Sequence, residues 1–288
     1  MVFVHSFWSK PLLNNKFSTV QSLYSVVIND YATSVSFIHK NGHKIKLYAD
    51  RRGAEILSFI PYDEVILIDT LDNASIHFAA QIKFEALRHM SLDEILIDGD
   101  LFMRFPDAYV RLQELSKNND FIYSMFEPNW FILSSDQQID KYRTIRELLC
   151  PYLSEFKYPY TLDGSIYDYQ WPNTSLMLFT SQRLKDEYVR QYHHYKGLLE
   201  RVDFKNTWPD TVIEQRHMYK LLSTGYTAAP MIEDFPSKES NDYALKIGFT
   251  HLGYAKSFYD DVVKGWLKEM DPQLHEYVNN FDINDIII

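Results

Sequence analysis

Over its first 125 residues the chain alternates short apolar runs with longer stretches of helical periodicity, and that order restricts the fold more than any other feature. The apolar runs are "VFVHSF" (2–7), "KIKLYA" (44–49), "EVILID" (64–69), "EILID" (94–98) and "DFIYSMF" (120–126). Between them the spacing predicts a helix from about Ser18 to His39, a short one from Arg52, one from about His77 to Met90, and another in "DAYVRLQELSK". Val20, Leu23, Val27 and Tyr31 recur at helical intervals, and Phe78, Ile82 and Leu87 do so less regularly. Strand and helix in alternation imply an α/β layered fold with a largely parallel sheet. In such sheets ligands bind beyond the carboxyl ends of the strands, near the point where strand order reverses.

After about Phe126 the order loosens. A charged helical stretch, "DQQIDKYRTIRELL", precedes "PYLSEFKYPYTLDGSIYDYQWPN", which reads as a long loop rich in Tyr, Pro and Asp. "TSLMLF" resumes strand character, followed by helices over about Gln182–Val202 and Asp210–Ser223, a strand in "IGFTHL", and an amphipathic helix in "SFYDDVVKGWLKEM". No repeat or linker divides the chain. With 46% hydrophobic residues among 288, one large core is expected.

The charge balance narrows the partners. Against 29 Lys and Arg stand 39 Asp and Glu, a formal charge of −10, and the basic residues are scattered, so no nucleic-acid or anionic-membrane partner is expected. Cys150 is the single cysteine, which excludes an intrachain disulfide or thiolate zinc cluster and points to a reducing, cytoplasmic setting. His5 and Lys10 interrupt the N-terminal apolar stretch, which therefore fails as a secretory signal, and no window is long enough to span a membrane.

The motif with chemistry in it is "EILIDGDLF". Asp98 and Asp100 end an apolar run with Gly99 between them, so both carboxylates project to one side and a ligand can approach the backbone. Two adjacent carboxylates are costly without a cation or proton between them. Oxygen ligands of this kind favour Mg²⁺ or Mn²⁺ with positions left open for phosphate. The bland alternative is an acidic surface turn.

This segment resembles the Asp-x-Asp motif of GT-A glycosyltransferases. "HSFWSK", "KIKLYADRRGAEIL", "IPYDEVILID", "QIKFEALRH" and "ILIDGDLF" together look like a group of bacterial glycosyltransferase-like proteins. "PNTSLMLF" is similar to the segment carrying an Asn-containing loop beside the donor sugar, and "FTHLGYAK" to the late His-Gly-Lys motif of glycogenin-like and bacterial galactosyltransferase-like enzymes. That late motif departs from the familiar form: Gly253 follows His251 by two positions, Lys256 by five, and no Pro-Trp comes after the lysine.

The resemblance implies a GT-A-like, Rossmann-type mixed sheet flanked by helices. It places a glycosyltransferase domain over residues 1–256, with a nucleotide-binding half to about 105 and an acceptor-side half beyond, and a helical extension over 257–288. It implies a Mn²⁺ or Mg²⁺ ion on Asp98, Asp100 and His251, and a nucleotide-sugar donor such as a UDP-sugar. Ser6, Trp8, Asp50, Lys83, Gly99, Gly253 and Lys256 would line the donor, and the acceptor would be a glycan or another hydroxyl.

Each of these residues also has an ordinary reading: His251 as a structural histidine, Asp50 as a helix cap for "RRGAEIL", Lys83 as a solvated helix lysine, Trp8 as a rim aromatic. Asp163 and Glu214 are the candidate catalytic carboxylates, with Glu127 a third; an inverting reaction would need one of them to activate the acceptor hydroxyl. The tyrosine-rich stretch from Tyr158 to Trp171 suits a sugar ring by composition. Two rival readings are a haloacid-dehalogenase-like phosphatase with Asp98 as nucleophile, and a non-catalytic nucleotide-sugar binding protein. Against the phosphatase, the motif comes late in the chain and Leu101 follows Asp100 without the usual Gly-Thr.

Overall fold

The computed structural model describes residues 1–13, 20–71, 74–128, 170–200, 213–214, 218, 221–222, 224–233, 237–252 and 256–281. Strand β1 (Val2–Phe7) is followed by α1 (Ser9–Leu13), α2 (Val20–Lys40), β2 (Lys44–Ala49), α3 (Arg51–Ile56), β3 (Glu64–Leu67), α4 (Gln81–His89), β4 (Glu94–Ile97), β5 (Leu101–Met103), α5 (Pro106–Ser116) and β6 (Phe121–Pro128). Then come β7 (Gln170–Pro172), β8 (Leu176–Phe179), α6 (Gln182–Leu199), β9 (Ala228–Ile232), α7 (Lys238–Ile247), β10 (Phe249–His251), α8 (Lys256–Met270) and α9 (Pro272–Asn280).

The main sheet runs β3-β2-β1-β4-β8-β6, with β7 and β9 also paired to β6. Its first four strands are mutually parallel, β8 runs antiparallel between β4 and β6, and β9 is parallel to β6. The sheet is therefore mixed and flanked by helices, an α/β fold. Strand order reverses beside β1, which has β2 on one edge and β4 on the other.

Period-two alternation sorts the side chains into two cores. Phe3, Ile45, Leu47, Ile95, Ile97, Ile122 and Leu178 enter the core that also holds Ile28, Ala32 and Val35 of α2, Leu112 of α5, and Leu267, Leu274 and Val278 of α8 and α9. Val4, Tyr48, Leu96, Tyr123, Met177 and Phe179 enter the opposite core with Ile82, Phe84 and Leu87 of α4 and Leu184, Tyr188 and Tyr192 of α6. Because both faces are covered, the central strands read as continuous apolar runs. Each fully buried Leu, Ile or Phe contributes roughly 1.5–3 kcal/mol.

Two local differences from the sequence reading have physical causes. Ile247 and Gly248, expected in a strand with "FTHL", instead finish α7: Gly248 adopts φ 74°, a left-handed cap that glycine takes without strain. Gln170–Pro172, expected in the long loop, forms β7 against β6. The charged stretch 136–149, Asp163 and most of the tyrosine-rich stretch lie outside the described residues, as does most of the helix expected over Asp210–Ser223. The sequence reading had no place for β5, β9, α7 or α9 as separate elements.

Two features steer the chain toward one end of the sheet. β6 pairs Tyr123 with Met177 but Phe126 with Pro172, so four residues, Asn173 to Leu176, stand against two, Ser124 and Met125, and Asn173, Thr174 and Ser175 bulge out. The Asn173 side-chain oxygen fixes the bulge by accepting from Ser175 N at 2.9 Å and Ser124 Oγ at 2.7 Å. Separately, β5 and β10 form an antiparallel ribbon pairing His251 with Leu101. Phe37 of α2, Phe102, Leu252 and Val263 of α8, with Trp266, fill the space behind this ribbon.

Candidate functional site

Asp98, Gly99 and Asp100 form the turn that joins β4 to β5, at the carboxyl edge of the parallel strands and beside the reversal point. The surrounding elements hold its backbone. Asp98 N donates to Ser175 O of the bulge at 2.8 Å, Leu101 N to Asp98 O at 3.1 Å, and Leu252 N to Asp100 O at 3.2 Å. Ser34 Oγ on α2 donates to Leu101 O at 2.9 Å.

The ribbon brings His251 to this turn from far along the sequence. One ligand atom each from Asp98, Asp100 and His251 lie within 4.8 Å of one another, and His251 Nε2 stands 3.7 Å from Asp100 Oδ2. The Asp98 side chain retains 29% of its exposure while Asp100 and His251 retain 6% and 12%, so the cluster is open on the Asp98 side. Two carboxylates and an imidazole around one open point suit Mn²⁺, which accepts nitrogen as well as oxygen, and leave room for further oxygen ligands.

A second cluster adjoins the first. Lys83 Nζ on α4 lies 2.8 Å from Asp98 Oδ1 and 3.2 Å from Glu214 Oε1, and Thr174 Oγ1 of the bulge donates to the same Glu214 oxygen at 2.7 Å. Burial pulls the Lys83 ammonium down, but the carboxylates of Asp98 and Glu214 outweigh it and hold the group above its ordinary range, fully charged. Burial raises the Glu214 carboxyl, assisted by Asp98 and opposed by Lys83 and the Thr174 hydroxyl. Lys83 therefore tethers the outer carboxylate of the cluster to a buried acid.

The other expected residues that are described have defined partners of their own. Ser6 is the next-to-last residue of β1, and its carbonyl accepts from Tyr31 Oη at 2.8 Å. Trp8 is buried in the core shared with α4. Asp50 is buried as the N-cap of α3: Oδ1 accepts from Gly53 N and Ser9 N, and Oδ2 from Ser9 Oγ at 2.5 Å. It thus holds α1 to α3 at the end of β2, as a helix cap does. The side chains of Glu127 and Lys256, and Gly253 and Asp163 altogether, lie outside the described residues.

Sequence reasoning missed Tyr31, Ser34, Thr174 and Ser175. The bulge falls in "PNTSLMLF", the segment the resemblance had singled out for an Asn-containing loop without naming Thr174 or Ser175; nothing in the sequence marks the other two.

No family model matches the chain, and no curated protein matches its sequence. Among solved structures, the galactosyltransferase LgtC in complex with donor and acceptor sugar analogues aligns at 12% identity over 80% of this chain and 73% of that one, with a TM-score of 0.38. An active-site mutant of LgtC aligns at 11% identity over 74% and 69%, with a TM-score of 0.37. Mouse xyloside xylosyltransferase 1 in its apo form aligns at 12% identity over 79% and 77%, with a TM-score of 0.32. Likenesses this distant leave the functional reading to the site itself.

Proposed function

We propose that the chain is a glycosyltransferase that takes its sugar from a nucleoside-diphosphate donor and holds a divalent cation on Asp98, Asp100 and His251. The observation that carries this reading is the grouping of those three side chains, drawn from two separate elements, at the strand-order reversal of a parallel sheet. A cation bound there supplies Lewis-acid stabilisation of the charge that develops on the departing diphosphate.

The protein's own residues do the rest. Asp98 and Asp100 present the oxygen ligands, and His251 closes the buried side of the centre. Lys83 fixes the orientation of Asp98 and places a positive charge where phosphate oxygens would lie. Glu214, itself held by the Thr174 hydroxyl, keeps Lys83 in place from behind. The donor would enter over Ser6 and the carboxyl end of β1, with a glycan or other hydroxyl compound as acceptor.

Donor hydrolysis, measured across a panel of nucleotide sugars with Mn²⁺, tests the reading. Asp98→Asn and Asp100→Asn are each expected to lower turnover at least a hundredfold without loss of fold. Undiminished turnover in both variants would overturn cation-assisted transfer. A phosphoaspartate trapped at Asp98 with a phosphate ester would replace it by phosphatase chemistry.

A further inference from the structure

Gly99 poses a specific question. Glycine between two ligand carboxylates is usually explained by backbone conformation, but Gly99 is not among the described glycines with positive φ, which are Gly42, Gly225 and Gly248. Its backbone would accept an ordinary L-residue. What forbids one is Tyr31: a Cβ on Gly99 would fall 2.3 Å from ring atoms Cδ2 and Cε2 of Tyr31 and 2.7 Å from Cζ. Contacts that short cannot be relieved by a small rotation, because the ring is fixed on several sides.

Those restraints are visible in the surroundings of the ring. Tyr31 Oη donates to Ser6 O at 2.8 Å. The ring packs edge-on against His5 at 4.8 Å and Phe7 at 5.4 Å between centroids, on the two residues flanking Ser6. His5 is held in turn by Tyr62 Oη at 2.9 Å and Ser34 Oγ at 3.1 Å. One turn along α2 from Tyr31, the Ser34 hydroxyl donates to Leu101 O. Thus α2 meets the turn twice, with a ring beneath Gly99 and a hydrogen bond at Leu101. Tyr31 itself is half-buried.

We propose that Tyr31 is a positioning residue for the cation: its ring is the platform on which the Asp98–Gly99–Asp100 turn rests, and it sets the separation of the two carboxylates while tying them to the donor-facing end of β1. Gly99 and Tyr31 are then a complementary pair, in which the missing side chain of one is the volume of the other. This inference rests on the cation reading above, and concerns how the ligands are spaced, not which residues they are.

Titration calorimetry of the full chain with Mn²⁺ alone tests it, beside thermal melts of every variant. Gly99→Ala is expected to bind Mn²⁺ at least tenfold more weakly, because the new Cβ must push the turn off the ring. Tyr31→Ala is also expected to weaken binding, by removing the platform. The double variant Tyr31→Ala/Gly99→Ala restores a contact in the vacated space, so its affinity should exceed that of Gly99→Ala. Tyr31→Phe keeps the ring and should bind Mn²⁺ within about threefold of the parent, which also provides a mild variant in which the fold is kept.

Losses that multiply in the double variant, or a Gly99→Ala protein that binds as the parent does, would overturn the complementary pair. A parent that binds no more Mn²⁺ than Asp98→Asn would instead overturn the cation reading on which it stands. The two failures are therefore told apart by the Asp98→Asn control.

Discussion

His5 shows how far a single side chain can be committed by its neighbours. The one proton of Ser34 goes to Leu101 O, so Ser34 Oγ must accept from His5 Nε2–H, which leaves Nδ1 to accept from Tyr62 Oη. Both ring nitrogens are thereby used in the neutral tautomer, and protonation would force the Tyr62 hydroxyl to turn its proton away and accept instead. Burial moves the imidazole down to about 3, with Asp100 opposing the shift weakly. The unfolded chain protonates this histidine near its ordinary pKa of about 6.5, so stability is intact above that value and is lost as pH falls from there toward about 3. The loss reaches about 1.4 kcal/mol per pH unit once the unfolded histidine is fully charged. Urea melts between pH 7.5 and 4.5 should show that slope, and His5→Gln, which does not titrate, should reduce it by one proton's worth even if it lowers stability throughout.

Gly248 carries a comparable constraint at the level of an element. It ends α7 with φ 74°, its carbonyl accepts from Arg104 N at 2.8 Å, and the next residue begins β10, whose third residue is His251. A Cβ here would meet the Phe105 ring at 2.7 Å as well as the left-handed backbone. Gly248→Ala is expected to cost at least about 1–2 kcal/mol from the backbone alone. Because the strain sits at the root of the β5–β10 ribbon, it should also shift His251 away from Asp100. Paired melts and Mn²⁺ titrations check this: lower stability together with weaker metal binding is expected, whereas Gly42→Ala, at φ 75° with open space around it, should lower stability alone.

At the scale of the whole molecule, what could be read in advance divides by the range of the contacts involved. β1 and β2 coincide with "VFVHSF" and "KIKLYA" because strands buried on both faces announce themselves as apolar runs. β9 escaped because "AAPMI" carries Pro230, which pairs as the partner of Tyr123 but reads as a strand breaker. α7 escaped because the face of "KESNDYALKI" that meets the core, Ser240, Ala244 and Ile247, carries a single large apolar side chain. In the site, Asp98 and Asp100 are two residues apart and legible; Thr174 meets Glu214 across 40 residues and Tyr31 meets Gly99 from another layer, and only folding makes such pairs. A centre assembled from β4, α4, the bulge and the ribbon should in turn report its occupant on global stability, since a ligand that binds only the folded chain stabilises it by mass action. At a hundred times its dissociation constant a ligand adds about 2.7 kcal/mol, which for a chain of this size raises the melting temperature by several degrees. Thermal melts should therefore rise with Mn²⁺ and UDP together by more than with either alone, fall back on chelation, and show no added effect of Mn²⁺ in Asp100→Asn. A UDP shift of the same size with and without Mn²⁺ would mean that the nucleotide is held without the carboxylate pair, and would move the donor site away from the β4–β5 turn.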